Sequence, residues 1–342
     1  MPIRLKPGVA GVLFAFAASA SVLAAAEECD RACLKNTLDQ YLSAVIKHDP
    51  AAAPLFAGYR ETENALVVKR GEGVWKTMSA LGKVQRRYMD PVNGSAGYFG
   101  TFEEGSGTAI TTLRLRVVNR KITEAEWTIA RLDVGGPTPG QGGLINPEGL
   151  AASPPPERVV PKNVRSSRDA MIAAANSYFD GLQAHDGSVV LAHPGCIRIE
   201  NGVTVTGRGG VAPPPIPSVG GAAAAPGSQS PGAIPVSGDC TSGLSGMTMI
   251  AVTARRFPIV DEEAGVVLGM VVFLRAPGSP QRRNLLTEWF TIDSDKIRGI
   301  YAAMFYPDSL TPVPNWPPYD GNWPLAPGLA PNPGGGGARG GR

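Results

Sequence analysis

Two segments of the chain, YLSAVIKHDP at residues 41–50 and YFDGLQAHDG at residues 178–187, decide how the fold is organised. They share a tyrosine and a His-Asp pair at a constant offset of 137 residues. The Glu-Asn pair of residues 63–64 returns at residues 200–201 with the same offset. Identities at chemically distinct positions and one offset indicate an internal repeat, so we expect one domain built twice.

Each copy begins with a helical pattern and continues with strand patterns. Leu113, Leu115 and Val117 alternate with polar residues, which predicts a half-buried strand, and the apolar run 265–274 predicts a strand buried on both faces. In front of each His-Asp pair, apolar residues recur at helical spacing: Leu34, Leu38, Tyr41, Leu42, Val45 and Ile46, then Met171, Ile172, Ala175, Tyr178, Phe179 and Leu182. The pattern predicts an α+β fold in both copies.

Composition shifts divide the chain. The stretch 206–238 is rich in Pro, Gly, Ala and Ser, which predicts a loop insertion without a packed core of its own. The predicted divisions are a signal peptide (1–26), a first domain (27–133), a Gly/Pro-rich linker (134–165), a second domain with that insertion (166–310) and a Pro/Gly-rich tail (311–342).

The N-terminus has the order of a secretory signal. Arg4 and Lys6 precede an apolar run at 8–23, and Ala24 and Ala26 flank a cleavage site of the small-x-small type. The alternative is a membrane anchor, but the run is short and only mildly apolar for a span. We therefore expect a secreted or periplasmic protein with no stable membrane insertion after cleavage.

The charge balance argues against a polyanionic partner. The formal net charge is +3, and loss of Arg4 and Lys6 would reduce it to +1. A chain so close to neutrality lacks the basic surface that nucleic acids select. We expect no nucleic-acid partner.

Four cysteines allow three disulfide connectivities. Their split between the two copies favours Cys29–Cys33 and Cys196–Cys240, the second at the base of the insertion. Metal binding is the alternative, but no CxxC motif or paired histidines accompany the cysteines. We therefore predict disulfides, no metal site and no cofactor.

The segments CDRACLKNTLDQYLSAVIKHDP (29–50) and RETENALVVKRGEGVWKT (60–77) resemble a secreted tandem-domain group in the SnoaL-like branch of the nuclear transport factor 2-like superfamily. The resemblance implies two tandem cone-shaped α+β domains, each a curved, mostly antiparallel sheet wrapped around an N-terminal helix with a pocket inside. That fold hosts isomerases, dehydratases, hydrolases, cyclases and binding proteins, so it does not choose a function. The paired acids of the ketosteroid isomerases have no residue-by-residue match in this chain.

Glu63 and Glu200 are candidate functional acids, because each lies on a short segment that begins a predicted sheet. Alternation places Arg198 and Glu200 on one face. An acid facing a cone's interior would be desolvated and suited to acid–base chemistry. The alternative is a surface ion pair with Arg198 or a turn.

His193 is the candidate acid–base partner of Glu200, since it lies in a loop near Cys196. Arg255 and Arg256 are candidate substrate anchors through forked hydrogen bonds, with a solvated surface pair as the alternative. Asp261 and Glu288 could join the same pocket in the second copy. His48 and His185 are interpreted as structural, because a histidine at a helix C-terminus meets unpaired carbonyls.

Two functions remain open at this level. One is a cofactor-free lyase, isomerase or hydrolase acting on a small, partly apolar organic molecule. The other is a non-catalytic exported protein that binds a ligand or has a structural role. Packing of the two domains on each other is compatible with both. No G-x-S-x-G, phosphate-loop, dinucleotide or HExxH motif supports other routes to catalysis.

Overall fold

The computed structural model describes residues 29–105, 107–131, 145–206, 238–247, 249–275 and 284–306. The predicted signal peptide, the interior of the predicted insertion and the predicted tail lie outside these ranges. The first half contains α1 (Arg31–Ile46), β1 (Leu55–Glu63), β2 (Leu66–Val68), α2 (Val74–Thr77), β3 (Met78–Asp90), β4 (Ser95–Glu104), β5 (Gly107–Val118) and β6 (Lys121–Ala130). The second contains α3 (Pro147–Ala152), α4 (Arg168–Ala184), β7 (Ala192–Glu200), β8 (Val203–Thr204), β9 (Met249–Asp261), β10 (Val266–Arg275), β11 (Asn284–Asp293) and β12 (Lys296–Phe305).

The two halves have the same topology. The first sheet has the strand order β2-β1-β6-β5-β4-β3, and the second has β8-β7-β12-β11-β10-β9. In each sheet one pair is parallel, β1 with β6 and β7 with β12, and the other neighbours are antiparallel. The prediction of an α+β protein with two tandem, mostly antiparallel sheets is confirmed.

One long helix packs on one face of each sheet. The apolar residues of α1 form a core with first-sheet residues such as Tyr98, Phe102 and Leu113. The equivalent residues of α4 form a second core with Val271 and Phe290. Both helices therefore bury the stripe that their sequences predict.

The two helices have matching ends. Asp30 and Ser167 cap the N-termini through their side chains. His48 and His185 both adopt a left-handed backbone just past the last turn, at φ 55° and 56°. The Nδ1 of His48 lies 2.6 Å from the carbonyl oxygen of Trp75. The two histidines thus share the left-handed backbone that follows each helix. The predicted side-chain contact with a carbonyl is seen only at His48, since His185 Nδ1 has no hydrogen-bond partner among the described residues.

The faces of the sheets that carry no long helix pack on each other. Trp289 lies at the centre of this contact, where its ring centroid is 4.8 Å from that of Tyr88 and its Nε1 donates to Thr112 Oγ1 at 2.9 Å. A Cβ on Gly97 would lie 2.4 Å from the Trp289 ring, so a glycine is needed there. Buried residues of both domains form a third core at this contact, which includes Phe99, Ile110, Ile259, Leu268, Met270 and Leu285.

Two reciprocal ion pairs cross between the domains. Arg31 at the start of α1 makes two hydrogen bonds to Asp261, at 2.7 and 2.9 Å. Arg168 at the start of α4 makes two to Asp90, at 2.9 and 2.7 Å. Both aspartates are almost fully buried, with exposures of 0% and 1% for Asp90 and Asp261. Each domain thus supplies an arginine to the other's aspartate.

The same aspartates also accept backbone hydrogen bonds across the interface. Met89 N donates to Asp261 at 2.8 Å, and Val260 N donates to Asp90 at 2.9 Å. The arginines are 137 residues apart, the offset of the repeat, and the aspartates end the equivalent strands β3 and β9, so all four positions are repeat equivalents. The interface therefore has the self-complementary form of a two-fold dimer within one chain.

The described part of the predicted linker, residues 145–165, packs against both domains. Asn146 caps α3 through its side chain, and Leu150 is fully buried. Arg158 donates to Asp293 at 2.7 Å, and Lys83 pairs with Glu148 at 2.7 Å. Local capping and two buried apolar residues, Leu150 and Val160, thus give this Pro-rich segment a defined path.

Both predicted disulfides, Cys29–Cys33 and Cys196–Cys240, are present. Two disulfides are typical of a protein in an oxidising, non-cytoplasmic location. In the described part of the chain, none of the helices is both long and apolar enough to span a membrane.

The two disulfides should differ in their contribution to stability. Cys196–Cys240 joins residues 44 apart and Cys29–Cys33 joins residues 4 apart. The longer loop constrains the unfolded chain more, so replacing Cys196 and Cys240 by serine should lower the free energy of unfolding by about 4 kcal/mol. The matching change at Cys29 and Cys33 should cost about 2 kcal/mol. Urea unfolding of both double variants measures this, and equal losses would contradict it.

Replacing Arg168 by Met should lower the free energy of unfolding by about 3 to 5 kcal/mol, because it leaves the buried Asp90 carboxylate without its cation. Arg31→Met should act in the same direction but less strongly, since the Arg31 side chain is 37% exposed. The control is Lys35→Met, which breaks an exposed pair with Asp39 and should cost less than about 1 kcal/mol. Similar losses in all three variants would contradict a special role for the crossed pairs.

Candidate functional site

A buried cluster of charged side chains lies between α4 and the second sheet. We call Tyr178, Arg198, Glu200 and Glu288 the Glu288 cluster. Arg198 and Glu288 are each 1% exposed, and the Glu200 side chain retains 13% exposure. Glu200 is thus the member of the cluster that reaches solvent.

The strands place the two acids in one row across the sheet. Ala302 of β12 is the register partner of both Glu200 on β7 and Glu288 on β11. Neighbouring strands are about 4.8 Å apart, so the two acidic residues start roughly 10 Å apart at their backbones. The residue between them in this row is Ala302, whose side chain is a single methyl group.

Arg198 holds the polar end of this cluster together. Its Nη1 donates to the Tyr178 hydroxyl at 3.1 Å. Its Nε lies 2.9 Å from Glu200 Oε1, an ion-pair contact without hydrogen-bond alignment. Among the described residues, Glu288 Oε2 has no hydrogen-bond partner. An acceptor or donor position is therefore left open beside an ion pair.

The environment keeps Glu288 protonated at neutral pH. Burial, together with the nearby charge of Glu200 and against the opposing charge of Arg198, raises the pKa of Glu288 to about 8. A neutral carboxyl group can donate a hydrogen bond or a proton where a carboxylate cannot. The cluster therefore contains an acid in its donating form next to an ion-paired carboxylate.

The first domain has a different cluster at the equivalent place. Glu61 stands at the repeat position of Arg198 and is 1% exposed. It accepts hydrogen bonds from Trp75 Nε1 at 2.7 Å, Tyr59 OH at 2.9 Å and Tyr41 OH at 3.2 Å. Burial raises the pKa of Glu61 to about 7 even though these donors lower it. Three donors from the surrounding rings thus satisfy this acid.

The register between strands shows how the two sites diverged. Trp127 of β6 lies between Glu63 and Leu113, where the second sheet has Ala302 between Glu200 and Glu288. The large Trp127 ring and the apolar Leu113 fill the first site. The second site has a smaller residue at this position and more charge, which makes it the better candidate for chemistry.

Glu63, a predicted substrate-binding residue, is hydrogen-bonded to the backbone of its own domain. Its Oε1 accepts a hydrogen bond from Val74 N at 2.5 Å. A Cβ on Gly73 would lie 1.8 Å from that oxygen, so the carboxylate packs tightly against the turn before α2. Glu63 thus shapes the loop after β2.

His193 is not brought to Glu200. Its Nε2 contacts the carbonyl and Oδ1 of Asp293, at 3.0 and 3.1 Å. Ala192 is paired with Ile297 and Glu200 with Ala302, so about 17 Å of strand separates the two sites. The predicted pairing of His193 with Glu200 is therefore not formed. The acidic residue in the same row as Glu200 is Glu288.

Arg255 and Arg256 contact protein carboxylates on opposite sides of the second sheet. Arg255 pairs with Asp180 of α4. Arg256 donates to Glu126 of the first domain at 2.6 and 3.2 Å. Although burial opposes ionisation, Arg256 and Arg114 keep the pKa of Glu126 below its ordinary value. Both arginines thus serve packing, and Asp261 belongs to the crossed ion pairs instead of the cluster.

Sequence reasoning missed Glu61 and its donors. The signal was present, because Glu61 is 137 residues before Arg198 and two residues before Glu63 on the same strand face. Within the described residues, no group of three or more His, Cys, Asp or Glu side chains is arranged to hold a metal ion.

A family model matches part of the chain. It is described as a domain of unknown function (DUF8021) and covers residues 164–304. The match begins four residues before α4 and ends within β12, so it covers the second repeat. No curated protein shows significant similarity to the chain.

The raised pKa values predict that stability falls as pH rises. A carboxyl group with a raised folded-state pKa binds its proton more tightly when folded, so its contribution is complete below about pH 4.5. For Glu288 that contribution is lost between about pH 4.5 and 8, with a slope of up to roughly 1.4 kcal/mol per pH unit.

Glu288→Gln should remove this part of the slope when the free energy of unfolding is measured from pH 5 to 9. Glu61→Gln should remove the part that ends near pH 7. Glu148→Gln, at an exposed acid, is the control and should leave the profile unchanged. A wild-type profile that rises across this range, or a Glu288→Gln profile parallel to it, would contradict the assignment.

Proposed function

We propose that this is an exported small-molecule protein with two SnoaL-like, cone-shaped domains, and that the second domain is a cofactor-free acid–base enzyme. The substrate class is a small, partly apolar organic molecule with a carbonyl or similar oxygen. The reaction class is an isomerisation, elimination or hydrolysis that needs one proton donor and one proton acceptor. The observation that carries the proposal is the open oxygen of the buried Glu288 beside the Arg198–Glu200 pair.

In the proposed chemistry, the two acids have opposite roles. Glu200, held by Arg198, removes a proton from a carbon next to the substrate carbonyl. Glu288 donates its proton to the carbonyl oxygen, where negative charge develops. Charge balances in this step, because one carboxyl group gains a proton while the other loses one. Glu200 then delivers its proton to a different carbon of the conjugated enol while Glu288 takes its proton back from the enol oxygen, which completes an isomerisation.

The surroundings of the cluster support an apolar substrate. Residues of α4 and of the second sheet enclose it, including Phe179, Val271 and Phe290. In such a dry environment, hydrogen bonds to a developing charge are stronger than in water. Glu200 is the point of entry, since its side chain is the more exposed of the two acids.

The fold arrangement is compatible with the proposed cone. Each mixed sheet has a long helix on one face, and the strand order is the same in both. The two disulfides and the N-terminal pattern of residues 1–26 support export to the cell exterior or the periplasm.

A second candidate function is ligand binding or a structural role without turnover. The saturated Glu61 cluster favours it for the first domain, because all its donors are used within the protein. The first domain then stabilises the second through the shared interface. This division makes Glu61 a matched control for Glu288.

The proposal predicts a ligand and a pattern of variants. Native mass spectrometry of the exported protein should reveal a retained small molecule, and incubation of that compound with fresh protein should convert it. Glu288→Gln and Glu200→Gln should each lower the rate by about 100-fold or more, because each removes a proton transfer. Liquid chromatography of substrate and product measures the rate.

The controls are Glu61→Gln, which changes the equivalent buried acid, and His193→Gln, which changes the distant histidine. Both should retain the wild-type rate if they fold, which thermal unfolding checks. Binding without conversion would favour the storage role, and loss of activity only in Glu61→Gln would place the chemistry in the first domain.

A further inference from the structure

A cleft of about 650 Å³ lies at the contact between the two domains, and none of its lining residues belongs to the Glu288 cluster. Its walls are α1, the edge strand β3, residues 156–158 of the connecting segment and Ala264 of the second domain. A volume of this size suits a small molecule, and interfaces between domains are preferred places for such sites. Apolar contacts are available from Leu42, Ile46, Leu81 and Pro156.

Basic side chains outnumber acidic ones in the lining. Asp39 and Glu157 are its two acids, and its six basic residues are Arg31, Lys35, Lys47, Arg86, Arg87 and Arg158. Arg31 and Arg158 also contact three acids that lie outside the lining: Asp261, Glu263 and Asp293. When these are counted as well, six basic residues still face five acidic ones. The cleft therefore favours an anionic ligand.

Two buried donors in the lining have no hydrogen-bond partner among the described residues. One is the Tyr88 hydroxyl, on a side chain that is 3% exposed, and the other is Arg158 Nε. Tyr88 also lies close enough to Arg86 and Glu157 for their charges to act on it. A buried donor without a partner costs about 1 to 3 kcal/mol, so an acceptor from a ligand would relieve an existing cost.

The contact with Glu157 shows that the guanidinium of Arg86 can bind a carboxylate that lies in the cleft. Arg86 Nη1 donates to Glu157 at 2.9 Å. The Glu157 side chain is 72% exposed, so this pair contributes little to stability. An incoming carboxylate could therefore replace Glu157 on Arg86 at low cost, while Arg86 keeps its bond to the Pro155 carbonyl at 2.5 Å.

We propose that this cleft is a second ligand site, separate from the Glu288 cluster, that binds a small organic acid with an apolar body. The carboxylate takes the place of Glu157 at Arg86 and accepts from the Tyr88 hydroxyl. The apolar body lies against Leu42, Ile46 and Leu81. Because the site spans both domains, its occupancy also stabilises their contact.

The test is titration of the mature, disulfide-bonded protein by calorimetry with phenylacetate and hexanoate, each beside its neutral amide. The carboxylates should bind at least about tenfold more tightly than the amides, because a charge-assisted contact is lost in the amide. Glu157→Gln should tighten carboxylate binding several-fold by vacating Arg86. Tyr88→Phe keeps the ring and should weaken binding about fivefold through loss of one hydrogen bond.

The matched control is Glu148→Gln. Glu148 is also an exposed acid of the connecting segment that pairs with a β3 cation, Lys83, but it lies outside this cleft. It changes the net charge by the same amount and should leave binding unchanged. Glu288→Gln should also bind normally, which separates this site from the proposed enzyme. Equal affinity for acids and amides, no binding at millimolar concentration, or equal effects of Glu157→Gln and Glu148→Gln would overturn the proposal.

Discussion

The structure depends on the need of each sheet to bury both of its faces. One long helix covers one face, and the other face still carries large apolar side chains such as Phe99, Leu268 and Trp289. Burial of such a side chain contributes about 1.5 to 3 kcal/mol, so exposing that face would be costly. The two domains therefore bury these faces against each other. A single domain would have to form a dimer to bury the same face, whereas the duplicated chain does so within one molecule.

The crossed arginine–aspartate pairs give this contact its geometry. Apolar faces alone can slide on each other, but Asp90 and Asp261 each require a guanidinium and a backbone amide from the opposite domain. A buried carboxylate that loses such partners is strongly destabilising. The ion pairs thus select one relative position of the sheets, and that position also creates the cleft between them.

The same scaffold carries two different polar interiors. In the first domain, Trp127 fills the space and the donors around Glu61 are used internally. In the second domain, Ala302 stands where the first has Trp127, and Glu288 Oε2 has no hydrogen-bond partner among the described residues. Burial of an acid without full hydrogen bonding costs stability, and such costs are concentrated at functional sites. The difference between the copies is therefore a stronger guide to function than their likeness.

The sequence by itself determined the repeat, the two helices and the strand hairpins, because periodicity and turn residues are local properties of the chain. It favoured one of three disulfide connectivities, and the structure has that one. It also grouped Glu288 with Glu200 in one expected pocket, together with His193, Arg255, Arg256 and Asp261, which have other partners in the structure. Only the tertiary structure decided that His193 lies roughly 17 Å along the sheet from Glu200 and that Arg256 binds Glu126 of the other domain. Those outcomes depend on strand register and on which faces of the sheets meet, and both are set by packing between residues far apart in the chain.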